Sequence, residues 1–265
     1  MRFTSIASGS SGNVSYIGTE ETHILVDAGV TMKAINAGLA ALDLSLEDIS
    51  AIFITHEHID HIRALGTISR KYGIPMYGTL ETLREVLLTK SLGAVDRALM
   101  HPVLPDQRLQ VGDLQVLPFS IDHDAANPCA YRIEDGRHRV AVATDLGHFD
   151  DYICEHLSRL DAMLVEANHD LRMLENGPYP MALKRRILSD HGHLSNDNAG
   201  KMLNQVLHDG IRHIFLGHLS KENNLPTLAL QTVQSEIDAA DNAYHGNDFD
   251  ITVASRSRIS ELVEL

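Results

Sequence analysis

Three histidines and one aspartate crowd into Thr55-His56-Glu57-His58-Ile59-Asp60-His61, directly behind the apolar run Ala51-Ile52-Phe53-Ile54. Imidazole and carboxylate together suit a divalent ion of borderline softness: zinc, manganese or iron. His56 and His58, two apart on a turning loop, can grip one ion, and Asp60 and His61, a turn further on, can reach a second. A lone loop histidine is usually just solvated. Four candidate ligands leaving the end of a buried strand are read here as a metal site.

Such ligands need a rigid mount. Ala51–Thr55 reads as a short strand buried on both faces. Before it, Arg2–Ala7 and Val14–Gly18 read as strands flanking Ser8–Asn13, and His23–Asp27 as a third stopped by Ala28-Gly29. Thr31 is placed as the N-cap of a helix to about Leu42, and Ser45–Asp48 as a capping-box-like turn. Further helices are expected over Ile62–Tyr72, Leu80–Leu88, Phe149–Arg159, Asn196–Asp209 and Thr227–Ala240. Further strands are expected over Pro75–Gly78, Gln107–Gln110, Leu114–Ser120, Ala130–Glu134, Arg139–Ala143, Ala162–Glu166, His213–Leu216 and Asp250–Ala254, with Asp135-Gly136 marking a hairpin. This order predicts an α/β sandwich of two mixed sheets face to face with helices outside. No internal repeat, low-complexity tract or linker interrupts it, so residues 1–265 are expected to form one domain.

Hydrophobic residues make up 44% of the chain, enough for a large core, and with no tryptophan and only 5% aromatics that core must be aliphatic. The net charge of −14 argues against a broadly basic nucleic-acid surface, though not against a local one, because bound cations can supply positive charge to a phosphate. Cys129 and Cys154 form no spacing motif and fit a reducing compartment. The segment Met1–Gly9 has no long apolar run, and no stretch approaches the ~20 apolar residues that span a bilayer. A soluble cytoplasmic protein with no membrane partner is expected.

The run from His56 to His61 resembles the HxHxDH signature of the metallo-β-lactamase superfamily, whose fold is an αββα sandwich. The remaining superfamily positions occur in order: Asp27 in Leu25-Val26-Asp27, His123 in Ser120-Ile121-Asp122-His123, Asp145 in Ala143-Thr144-Asp145 and His218 in Leu216-Gly217-His218. The resemblance implies two divalent metal ions, one bound by His56, His58 and His123, the other by Asp60, His61 and His218, with Asp145 bridging them. It implies that Asp27 orients the HxHxDH loop without binding metal. Two ions ~3.5–4 Å apart can share a water and bring its pKa near neutrality, yielding a hydroxide nucleophile.

Within the superfamily, Asp145 stands where class B β-lactamases carry cysteine, which disfavours β-lactam hydrolysis. Val165–Asp170, Gly192–Asn196 and Leu216–Ser220 are similar to the C-terminal half of ribonuclease Z-like phosphodiesterases. His193 then matches the histidine outside the metal set that protonates the leaving oxygen, and the helix start behind it offers free N–H groups to an anion. The 22 positions from His123 to Asp145 leave no room for a tRNA-gripping arm, and the 73 from Asp145 to His218 leave none for a β-CASP domain. Ser8–Asn13, Glu166–Asp170, Gly192–Asn196 and Leu219–Asn224 together look like the YycJ/WalJ group, which implies 5′ to 3′ exonuclease action on duplex DNA.

Asn13, Arg186, Lys221 and Asn223 are candidate substrate contacts. Each has a plainer reading: Ser8–Asn13 as a tight hairpin, Lys184-Arg185-Arg186 as a solvated helix face, and the polar residues after His218 as an ordinary loop. The expected reaction is attack of the hydroxide on a phosphodiester at a DNA end, with His193 as proton donor and Asp60 and Asp145 holding the metals. Two competitors stand beside it. A glyoxalase II-like thioesterase shares the metal site, but normally carries a larger helical C-terminal domain than the 47 residues after His218 allow. A non-enzymatic metal-holding regulator fits less well with an intact hydroxide-forming site.

Overall fold

The apolar residues of each central strand alternate between two layers, and that alternation builds the architecture. In the computed structural model, which describes residues 1–265, a first sheet is laid down by β1 (Arg2–Ala7), β2 (Val14–Gly18), β3 (His23–Val26), β4 (Ala51–Phe53), β5 (Met76–Thr79) and β6 (Met100–Val103). Its helices are α1 (Met32–Ala40), α2 (Ile59–Ile62), α3 (Leu65–Tyr72) and α4 (Leu80–Leu88). The second sheet contains β7 (Leu109–Val111), β8 (Leu114–Ser120), β9 (Cys129–Glu134), β10 (Arg139–Ala143), β11 (Ala162–Glu166), β12 (His213–Gly217) and β13 (Ile251–Val253). With it come α5 (Asp151–Leu157), α6 (Leu171–Asn176), α7 (Met181–Ile187), α8 (Asn196–Val206) and α9 (Pro226–Asp238). The last strand, β14 (Val263–Glu264), returns to the first sheet and pairs with β1.

The sheet orders are β14-β1-β2-β3-β4-β5-β6 and β13-β12-β11-β10-β9-β8-β7. Along β4, Ala51 and Phe53 face the layer between the sheets while Ile52 and Ile54 face the helices; Val140/Val142 against Ala141/Ala143, and Ala162/Leu164 against Met163/Val165, divide in the same way. This is the period-2 signature of strands covered on both faces. Caps set the helix starts: Thr31, Thr79, Asp150, Asp170 and Ser195 each accept a bond from a first-turn N–H, a contact that contributes roughly 1 kcal/mol. No helix is long and apolar enough to cross a membrane.

The sandwich expectation holds, with local differences. The helix expected over Ile62–Tyr72 is two helices. The backbone coils already at Ile59, so Asp60 and His61 sit on a helical turn, and Ala64 leaves that turn to donate to the Ala28 carbonyl (2.9 Å). Strands β6 and β14 were not foreseen: β6 carries Pro102 and is mostly exposed, and β14 is two residues long. Helices α6 and α7 are short and flank Gly177-Pro178-Tyr179-Pro180, so neither shows a full helical period.

Strand direction positions the site. β3, β4, β5 and β6 run parallel, as do β10, β11, β12 and β13. β1 is antiparallel to β2, which is antiparallel to β3; β8 is antiparallel to β9, which is antiparallel to β10. The C-terminal ends of β1, β3, β4, β8, β10, β11 and β12 therefore meet along one edge of the sandwich, the place where parallel strands leave room for a ligand.

Candidate metal centre and active site

The HxHxDH loop is clamped before it begins. The Tyr131 hydroxyl donates to the Ile54 carbonyl (2.7 Å), and the Cys129 N–H donates to Thr55 O (3.0 Å), so the second sheet grips the end of β4. Asp27 ends β3 at φ 64 and accepts 2.9 Å bonds from both the N–H and the hydroxyl of Thr55. His61 Nδ1 lies 2.7 Å from Asp27 Oδ2. Asp27 thus ties the loop to β3 and faces the His61 ring. Gly29 lets the two loops touch, since a Cβ there would run into the Asp60 carbonyl.

Seven side chains from both sheets converge beyond this clamp. Donor atoms of His56, His58 and His123 lie within 4.8 Å of one another, as do those of Asp60, His61 and His218, those of His56, His61 and Asp145, and those of Asp145, Glu166, His193 and His218. Asp145 stands between the triplets: Oδ2 is 3.2 Å from His61 Nε2, and Oδ1 is 3.6 Å from His123 Nε2 and 3.5 Å from His218 Nδ1. Asp27, Asp145 and His218 all adopt the left-handed backbone conformation, φ between 54 and 64, one or two residues after a strand. Backbone strain of this kind gathers where side-chain aim matters more than backbone comfort.

The ring nitrogens are sorted. His123 Nδ1 faces the Gly192 carbonyl at 3.1 Å, and His218 Nδ1 faces Glu166 Oε1 at 2.8 Å, as His61 Nδ1 faces Asp27. Each contact secures the proton on Nδ1 and leaves Nε2 for the centre, the arrangement that orients metal-binding imidazoles. His56 Nε2 is buried with no hydrogen-bond partner, and Asp145 Oδ2 has beside it only His61 Nε2, which carries no proton when Nδ1 does. Buried polar atoms without partners are costly, and a cation would satisfy both. The donor set fits a pair of divalent ions.

Electrostatics agrees with that fit. Burial and the neighbouring His61 push His56 well below the usual histidine range, and burial lowers His123, so both offer lone pairs. Burial opposes charge on His218 too, but Asp145, Asp60 and Glu166 outweigh it and push the group up to about 10. His61 is likewise held well above its ordinary value by Asp27, Asp145 and Asp60 against the effect of burial. The carboxylates thus demand positive charge, which protons or metal ions can supply in competition.

Two residues missing from the expected set join the site. Glu166, fully buried at the end of β11, receives both His193 Nδ1 and His218 Nδ1 at 2.8 Å on Oε1, while its Oε2 accepts the N–H groups of Leu146 (2.8 Å) and Leu194 (3.2 Å). Its signal in the sequence was a lone carboxylate closing an otherwise apolar strand, Ala162-Met163-Leu164-Val165-Glu166. Asp124 lies with one oxygen 3.3 Å from His123 Nε2, and its other oxygen accepts from Arg186.

His193 sits at the rim, 17% exposed, with its ring 5.1 Å from that of His123 and 5.2 Å from that of His218. The expected substrate contacts divide. Arg186 lines a cavity beside His193. Asn13 is nearly buried, with its Nδ2 3.0 Å from His61 Nε2 and its Oδ1 accepting the Gly9 N–H (2.9 Å), so the Ser8–Asn13 turn is both a hairpin and a wall of the metal site. Lys221 is exposed but absent from that cavity. Asn223 is fully buried; its backbone N–H donates to the Ser220 hydroxyl (3.2 Å), and its Oδ1 has no hydrogen-bond partner.

A metal centre at the shared strand-end edge of two stacked mixed sheets is the arrangement of the metallo-β-lactamase fold, and the family model described as a beta-lactamase superfamily domain matches residues 22–218. Over 264 residues, covering 100% of this chain and 98% of the relative, the sequence is 38% identical to exodeoxyribonuclease WalJ of Streptococcus pneumoniae. Over 238 residues, covering 90% and 89%, it is 37% identical to exodeoxyribonuclease YycJ of Bacillus anthracis. The chain belongs to the WalJ/YycJ family of the beta-lactamase superfamily. The fold is also that of YhfI from Bacillus subtilis, a metallo-β-lactamase fold protein, with a TM-score of 0.72, 17% identity and 98% of each chain covered.

Proposed function

We propose that this chain, working as one domain, is a metal-dependent exodeoxyribonuclease that cuts phosphodiester bonds at DNA ends in the 5′ to 3′ direction, in the cytoplasm. The observation that carries the reading is the joining of two donor triplets through Asp145, with His193 at the rim outside both. Full-length similarity to two exodeoxyribonucleases supports the substrate class.

His56, His58 and His123 would hold one cation, Asp60, His61 and His218 the other, and Asp145 would touch both. Zinc, manganese and iron all suit this donor set. Bound there, such a pair supplies neutralisation of a phosphate and an acidified water. The residues of the chain do the rest. Glu166 fixes the His193 ring through Nδ1 and outweighs the effect of burial, raising its pKa above the ordinary histidine value. A protonated His193 on the solvent side of the centre is suited to donate to the departing oxygen. Asp27 and Glu166 keep the rings from rotating, so little reorganisation is required during reaction.

Digestion of end-labelled DNA and RNA, with and without a 5′-phosphate, across zinc, manganese and iron(II), tests this reading. We expect metal-dependent release of mononucleotides from DNA 5′ ends. Metal-loaded protein that leaves every phosphodiester intact yet hydrolyses a thioester would overturn it.

A further inference from the structure

Beside His193 the structure opens a cavity of about 160 Å³. That is smaller than the ~300–1,000 Å³ usual for a whole small-molecule ligand, and suits one ring-sized group. Its lining mixes polar side chains, among them Ser10, Asn168 and Ser220, with the apolar Tyr179, Leu183 and Ile187.

Tyr179 differs from every other tyrosine in the chain. Tyr16, Tyr77, Tyr131, Tyr152 and Tyr244 each pack against another ring, and Tyr72 lies under the Lys71 ammonium. Tyr179 has neither a ring partner nor a hydrogen-bonded hydroxyl, and is half-buried in the cavity wall. It stands between Pro178 and Pro180, whose locked φ angles stiffen the backbone on both sides. The Arg186–Asp124 ion pair ties the following helix, α7, to the residue after His123, which fixes this wall against the metal centre and offsets an acidic charge that would repel a phosphate. An unpartnered aromatic face held rigidly in a chain with so few aromatics has a natural partner in a flat apolar ring.

We propose that Tyr179 is the stacking platform for the base of the terminal nucleotide, seating that nucleotide beside His193. The proposal rests on the exodeoxyribonuclease reading and names what holds the end of the strand. Every base presents a π-face, so such a platform tolerates all four and gives processing of ends without sequence preference.

The test compares metal-loaded wild type, Tyr179→Ala and Tyr179→Phe on two duplexes that differ only in the 5′-terminal residue, a normal nucleotide or an abasic analogue. Wild type is expected to remove the normal nucleotide more readily. Tyr179→Ala is expected to raise KM about 5- to 150-fold on the normal end, the range of base–aromatic stacking, and to leave the abasic end nearly unaffected. Tyr179→Phe should match wild type, because the ring and not the hydroxyl makes the contact. Metal content and melting temperature of both variants should equal those of wild type. If wild type digests both duplexes and Tyr179→Ala keeps its KM, or loses equally on both, the platform is refuted while the nuclease reading stands. If metal-loaded wild type digests neither, both readings fall.

Discussion

Asp145→Ala is expected to abolish hydrolysis and to lower bound metal together, because this carboxylate lies within 3.6 Å of ring nitrogens from both triplets. Removing an outer partner of a metal ligand costs roughly 10–100-fold in affinity or activity; removing the group shared by two sites should cost more. The sign follows from charge. Burial alone would raise the Asp145 pKa, yet His218 and His61 hold it well below the usual carboxylate range, so its negative charge is matched to cationic surroundings. Without it, histidines from both sheets crowd together with less to neutralise them, and cation binding weakens at both positions. Metal content by plasma mass spectrometry, beside the rate on end-labelled duplex DNA, checks this. An Asp145→Ala protein that keeps full metal and more than a tenth of its activity would contradict the bridging assignment.

His193→Ala should separate the two readouts. Its donor atoms also lie within 4.8 Å of those of Asp145, Glu166 and His218, but its Nδ1 is taken up by Glu166 and it belongs to neither triplet of the proposed metal set, so metal content should equal that of wild type. Loss of a positioned general acid typically slows turnover by about 10²–10⁴-fold, and that fall should appear in kcat on DNA. On a p-nitrophenyl phosphodiester, whose leaving group needs no proton, the deficit should shrink markedly. An equal deficit on both substrates, or a parallel loss of metal, would remove His193 from the proton-donor role.

Much of this site was legible in the sequence because its chemistry is carried by residue types that rarely cluster by chance. His56, His58, Asp60 and His61 announce themselves within six residues, and Asp27, His123, Asp145 and His218 each follow within three residues a strand whose apolar pattern is readable. The sheets were legible for the same reason: continuous apolar runs such as Ala162–Val165 leave few alternatives to a covered strand. What escaped is three-dimensional. Glu166 was visible at its strand end, but its grip on His193 and His218 spans 27 and 52 residues, and no spacing rule links them. Asp124 follows His123 directly, yet its pairing with Arg186 depends on α7, a short helix beyond two prolines. That Asn223 is fully buried could not be read from its position after a ligand, because a polar residue there suggests an exposed loop. Edge strands such as β6 lack a buried face and hence a pattern.

Anomalous diffraction from crystals of the metal-loaded chain bears most directly on the central idea, that two cations share Asp145. The expected result is two peaks roughly 3.5–4 Å apart, one among His56, His58 and His123, the other among Asp60, His61 and His218, with Asp145 touching both. A single peak, or peaks that leave Asp145 uncoordinated, would contradict it.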